Sequence, residues 1–217
     1  MKFFMKLTAI LLLLSVSISA LAYFFWYKPK FSPSAAKSSF KAKKDETNKA
    51  VLIRLKQKAE DIASYAADHD YNSNYCFMVD MKIESGKKRF FVYNLKKDSV
   101  EISGLVTHGS SKNNSNEIQF SNTPNSLCTS LGKYKIGGSY TGKFGLAFKL
   151  YGLDSSNSKA FNRFVVLHSH SCVPVEETAP APICESWGCP TVAPAFLTQL
   201  KPYIDRSSKP ILLNIYY

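Results

Sequence analysis

The apolar run Phe164-Val165-Val166-Leu167 ends in His168, and 21 residues further on Ser186-Trp187-Gly188 leads into Cys189. A thiol with an imidazole in reach is a nucleophile with its general base, the pair that acyl transfer through a thioester needs. Gly188 permits a tight turn, which would aim the N–H groups of Gly188 and Cys189 at a developing oxyanion. A helix expected soon after Cys189 would add a positive dipole end that favours the thiolate. His170 lies two residues beyond His168, on the same side of an extended chain, and is the rival base. The same residue types allow a second chemistry, in which His168, His170, Cys172, Cys184 and Cys189 hold zinc. That set lacks the Cys-x2–4-Cys spacing of structural zinc sites, so no metal or other cofactor is expected.

The elements that must position these residues follow from periodicity. Val51, Leu55, Ala59, Ile62 and Ala66 recur at helical steps and predict a helix from about Thr47 to His69-Asp70. The pattern then becomes β. Tyr75–Met81 reads as a strand, Glu84–Lys87 as a turn, and Arg89–Leu95 as the hairpin partner. Further strands are expected at Val100–Thr107, Leu131–Ile136, Gly145–Tyr151, Arg163–His168 and Ile211–Tyr216, with a helix over Pro194–Ile204 that carries Pro in its first turn. The polar stretch Gly109–Asn125 reads as a long loop of the kind that is usually functional or mobile. Many short strands with one N-terminal and one C-terminal helix predict a mainly β, β-rich α+β domain over 47–217, a sandwich or partial barrel.

His168-Ser169 followed by Ser186-Trp187-Gly188-Cys189-Pro190 resembles the catalytic signature of the L,D-transpeptidase (YkuD-like) cysteine enzymes. Phe120–Ser126, Ser130–Tyr134 and Tyr140–Lys143 match the murein L,D-transpeptidase branch as well, and the resemblance covers roughly Tyr75–Tyr217. It implies an L,D-transpeptidase-like fold with Cys189 as nucleophile, His168 as general base, and the Ser169 carbonyl orienting the imidazole. The implied reaction is thioester formation with the third residue of a peptidoglycan stem peptide and release of the terminal D-Ala. An amine then takes the acyl group in cross-linking, or water takes it in trimming. His108, Tyr140, Ser121, Trp187 and Ser186 fall at positions expected to contact substrate. Two departures stand out: Trp187 where the wider family has a second His, and Pro190-Thr191 in place of a hydrophobic–Asn/Arg pair. A non-catalytic wall-binding paralogue that keeps the fold is the alternative.

The five cysteines suggest two disulfides and one free thiol in an exported chain. Cys172 with Cys184 is the expected pair, bracketing the loop between base and nucleophile, and Cys76 with Cys128 is a looser one. Export itself is read from Leu7–Tyr27, 21 residues without charge. As a helix they would reach about 31 Å, near the thickness of a bilayer core. An uncleaved anchor with an aromatic interface cluster, or a signal peptide cut near Ala22, both send the rest of the chain out of the cytoplasm, periplasmic or otherwise extracytoplasmic. The six lysines from Lys28 to Lys44 run against the positive-inside preference, which long translocated domains commonly override.

The stretch 28–46, rich in Lys, Ser, Ala and Pro, reads as a basic flexible linker. The net charge of +12 is concentrated there: residues 28–58 hold ten basic and two acidic side chains, whereas 59–217 hold 16 and 14. The domain carrying the chemistry is nearly neutral, which disfavours a nucleic-acid partner and suits a monomer acting on wall peptide. The basic excess suits anionic lipid or wall polymer.

Overall fold

The computed structural model describes residues 2–31, 33–110 and 117–217, and the chain divides into two compact units, Met1–Leu52 and Ile53–Tyr217. The first contains α1 (Lys2–Ala22), a π-helical turn (Tyr23–Tyr27) and α2 (Lys28–Phe31). Ile10–Tyr27 is long and apolar enough to cross a membrane, and none of it is buried.

Helix α3 (Pro33–Asp68) begins well before the expected Thr47, so the stretch read as an irregular linker is helical. Its Ala- and Lys-rich composition favours helix, and Pro33 suits a first helical position. The sequence signal failed because no apolar period marks that half. Within the second unit the expected face is the one that packs: Leu55, Ala59, Ile62 and Ala66 are buried.

Eight strands follow: β1 (Tyr75–Asp80), β2 (Phe90–Asn94), β3 (Ser99–Gly104), β4 (Gly132–Gly142), β5 (Gly145–Gly152), β6 (Val166–Ser169), β7 (Thr191–Val192) and β8 (Leu212–Tyr216), with α4 (Pro194–Asp205) between the last two. They form one mixed sheet in the order β3-β2-β1-β8-β4-β5-β6-β7, with β1/β8 and β6/β7 parallel. Just past β3, Val106 bridges Val192 of β7, and the Thr107 N–H donates to the Thr191 carbonyl at 2.9 Å. The two ends of the sheet are thus stitched together, which makes the β-rich α+β fold a partial barrel.

One face packs Phe77, Val79, Phe90, Val92, Tyr134, Phe148, Leu167, Leu213 and Ile215 against Phe196, Leu197 and Leu200 of α4. The other face of β1 and β8 meets α3: Arg54 pairs with the fully buried Asp80 at 2.8 Å, and Lys58 Nζ sits 6.0 Å from the Tyr216 ring. Burial on both faces explains why β1, β2 and β8 read as nearly unbroken apolar runs. Of the expected loop 109–125, residues 111–116 lie outside the described residues; beyond them Phe120 forms a single bridge to Thr129.

Candidate active site

Strand β6 begins at Val166 and not at Arg163, because Phe164 takes a left-handed φ of 57° and the chain turns there. Beside it runs the two-residue strand β7, which no periodicity in the sequence marks. The parallel register sets His168 opposite Thr191, and the two side chains meet with Nε2 and Oγ1 3.0 Å apart. The other ring nitrogen, Nδ1, lies 3.1 Å from the Ser169 carbonyl. A carbonyl can only accept, so Nδ1 carries the proton and Nε2 offers the lone pair. The Ser169 carbonyl is thus the acceptor of the Nδ1 proton. Burial lowers the His168 pKa from its ordinary value, the Ser169 carbonyl opposes that fall and a charge on His170 adds to it, so the ring is neutral at pH 7. Phe144, on the turn joining β4 to β5, stacks on the imidazole at 4.8 Å. The rival base His170 is exposed, and its Nδ1 accepts the Cys172 N–H at 3.1 Å.

The turn Ser186–Cys189 leads into β7. Gly188 has φ +105°, and a side chain there would run into the Cys128 carbonyl, so only glycine fits. The Ser186 hydroxyl closes the turn, donating to the Cys189 carbonyl at 2.7 Å and accepting the Gly188 N–H at 3.2 Å. That bond takes one of the two expected oxyanion donors. The Cys189 N–H has no partner among the described residues and is the donor that remains. The expected helix dipole is also missing from the thiol, because β7 separates Cys189 from the start of α4 and the dipole acts only over a helix's first turn.

The Cys189 Sγ–H is directed at the Phe164 carbonyl at 3.8 Å. Burial raises its pKa, countered by a hydrogen bond from the Val166 backbone and by the charge of Arg163. Arg163 is a site residue that the sequence reading missed. Its guanidinium donates to the carbonyls of Ser121 at 2.8 Å and Cys128 at 2.7 Å, and to the hydroxyl of Ser130, tying the 121–130 segment beneath the Ser186–Cys189 turn.

His108 stands beside the turn from the other side, its carbonyl accepting the Ser186 N–H at 2.8 Å. Its Nδ1 faces Arg89 Nη2 at 3.0 Å and its Nε2 faces Glu185 at 3.5 Å. Burial, then the Arg89 charge, push its pKa down to about 4. A neutral ring that accepts from Arg89 and donates to Glu185 satisfies both neighbours. Arg89, fully buried, also donates to the Val106 and Ile83 carbonyls. His108 therefore braces the turn from within. Ser121 serves through its backbone carbonyl, while its hydroxyl accepts the Thr123 N–H at 3.1 Å. Trp187 is 79% exposed on the Ser186–Cys189 turn, and Tyr140 lies partly exposed near the end of β4.

Cys172 and Cys184 form a disulfide with Cα atoms 6.1 Å apart, tying the segment after His168 to the segment before Ser186. Two of the five ligands of the zinc alternative are thereby used up, and among the described residues no cluster of three or more His, Cys, Asp or Glu is arranged for a metal. The looser pairing fails: Cys76 and Cys128 are both free and buried. Cys76 is enclosed in β1, whereas Cys128 packs under Gly188, and nothing in their spacing could have located either one.

The helical cell shape determining protein Pgp2 from Campylobacter jejuni is similar at 13% identity and TM-score 0.43, over 67% of this chain and 49% of that one. An Ldtfm–avibactam carbamoyl enzyme is similar at 11% identity and TM-score 0.39, over 66% and 49%. An L,D-transpeptidase from Xylanimonas cellulosilytica is similar at 14% identity and TM-score 0.35, over 70% and 68%. The chain thus spans about half the length of the first two. No curated protein matches it. Residues 44–213 match the family described as the L,D-transpeptidase catalytic domain (YkuD_2), and with that match over most of its length the chain belongs to the L,D-transpeptidase catalytic-domain family.

Proposed function

We propose that the protein is a peptidoglycan L,D-transpeptidase in which Cys189 is the nucleophile and His168 the general base. The observation that carries this reading is the fixed tautomer of His168: Nδ1–H is spent on the Ser169 carbonyl, and the Nε2 lone pair faces the strand that follows Cys189. In the proposed reaction Nε2 takes the Sγ–H proton and the thiolate attacks the carbonyl of the third stem-peptide residue. The Cys189 N–H receives the oxyanion. Collapse to the thioester breaks the peptide bond, and the imidazolium returns its proton to the departing D-Ala amine. An acceptor amine, deprotonated by the same nitrogen, then takes the acyl group; water in its place gives the L,D-carboxypeptidase outcome. Trp187 and Tyr140 offer exposed aromatic surface for substrate, while His108, Ser121 and Ser186 shape the site from behind.

The chain acts outside the cytoplasm in this reading, at the cell envelope, with residues 7–27 as an anchor or as a signal cleaved near Ala22. The test is incubation of the full chain, in detergent micelles, with a tetrapeptide stem substrate. D-Ala release and a carbapenem-type acyl adduct at Cys189 are expected, and both should vanish in Cys189→Ala. If neither is seen with the unaltered chain, the reading is wrong. A wall-binding paralogue without turnover draws on a specific observation, that His168 Nε2 and the Cys189 thiol each bond to another group. It predicts that Cys189→Ala leaves the function in cells intact.

A further inference from the structure

Each half of the dyad has a different partner in the resting chain. The thiol hydrogen is directed at the Phe164 carbonyl, and His168 Nε2 lies 3.0 Å from Thr191 Oγ1. Since Nδ1 carries the imidazole proton, Nε2 can only accept, and the hydrogen between them belongs to the Thr191 hydroxyl. That hydroxyl has one other acceptor in reach, the Cys189 carbonyl at 3.4 Å. The carbonyl is already served by Ser186 Oγ at 2.7 Å and Thr107 Oγ1 at 3.2 Å, so the nearer, unshared lone pair of Nε2 holds the hydroxyl. Thr191 is buried, and Phe144 pins the imidazole by its face, so the contact is sheltered from competing water.

We propose that Thr191 is a positioning residue that parks the base: its hydroxyl occupies the Nε2 lone pair at rest and withholds it from the Cys189 proton until the Thr191 side chain turns away. The inference rests on the Cys189–His168 chemistry proposed above. On release, the S–H bond breaks as the Nε2–H bond forms, giving thiolate and imidazolium with no change in total charge. The released Thr191 hydroxyl keeps the Cys189 carbonyl, at 3.4 Å and shared with Ser186 and Thr107, as a weaker acceptor.

The test needs no stem peptide. In the full chain, the rate of Cys189 alkylation by iodoacetamide is followed against pH, with the modified residue identified by mass spectrometry. Thr191→Val keeps the shape and the strand preference but lacks the donor. It is expected to lower the pH midpoint of alkylation and to react about 5-fold faster at pH 7, the size of one net hydrogen bond. Thr191→Ser should restore the wild-type profile, and Thr191→Val combined with His168→Gln should lose the gain. Near the imidazole stand His170 beyond β6, Lys143 over the Phe144 ring that stacks on it, and Arg163 near the thiol, unchanged among these variants except for His168 itself. A Thr191→Val profile equal to or slower than wild type overturns the proposal, as does a gain that persists without His168. Should Thr191→Val fail to fold, Thr191→Ala gives the same comparison. Failure of D-Ala release would defeat the transpeptidase reading while leaving this alkylation profile to be read by itself.

Discussion

Protonation of His108 should destabilise the domain in mild acid, by an amount that the structure bounds. The ring sits between Arg89 Nη2 at 3.0 Å and Glu185 at 3.5 Å, and it must be unprotonated at Nδ1 to accept from the guanidinium. A proton at Nδ1 sets donor against donor and charge against like charge. In the unfolded chain the imidazole titrates near its ordinary value of 6.5, and in the folded chain only at about 4. Between those two pH values the unfolded state holds more protons, so stability rises with pH there. Conversely, the contribution is lost as pH falls from 6.5 and is gone below about 4. The full difference corresponds to about 3 kcal/mol, and solvent reaching the ring through the half-exposed Glu185 reduces the expectation to roughly 2 kcal/mol.

The assay is urea unfolding at several pH values between 7 and 4, with wild type and His108→Gln side by side in non-ionic detergent. Glutamine can accept from Arg89 and donate to Glu185 without titrating. His168, whose pKa is also lowered, contributes equally to both proteins and cancels. Wild type should therefore lose roughly 2 kcal/mol more than His108→Gln over that range. Equal losses would refute the placement of a neutral His108 against Arg89.

Two further outcomes can be measured on the same material. Converting Cys172 and Cys184 together to Ala should cost about 3 kcal/mol, the loop entropy of a closure of this length, and an unchanged urea midpoint would show that the bridge constrains nothing. Tyr216→Phe should stabilise the domain by about 1 kcal/mol, because the Tyr216 hydroxyl is buried without a partner among the described residues and removing it ends a desolvation cost; a loss of similar size would reveal a hydrogen bond there.

The sequence carried the strands well and the surroundings of Cys189 poorly, for physical reasons. Strands buried on both faces leave apolar runs, so β1, β2 and β8 were readable within a residue or two. Strand β7 has two residues and no room for a period. Thr191 becomes the partner of His168 only through the parallel register of β6 and β7; in the sequence, Pro190-Thr191 registered merely as a departure from a family pattern. Arg89 opens the strand expected over Arg89–Leu95, and nothing at that charged position marks it as buried, yet its side chain is wholly enclosed. Arg163 opened what read as a strand, and the left-handed residue after it turns the chain so that its charge points back under the thiol. The cysteine arithmetic identified Cys172–Cys184 from proximity in the chain, whereas the positions of Cys76 and Cys128 depend on tertiary packing.

The bridge between Val106 and Val192 has a consequence for the order in which the molecule matures. It joins segments far apart in the chain, and contacts of that separation are the costly ones to close while the rest is still loose. The groups around Cys189 come from residues on both sides of that seam, Thr107 and His108 on one and Ser186 to Thr191 on the other. A newly made chain therefore has a thiol long before it has the surroundings that tune it. During that interval Cys189 is one cysteine among five, open to mispairing wherever thiols are oxidised. Early formation of Cys172–Cys184, whose partners lie close in sequence, removes two of its four competitors before the seam shuts.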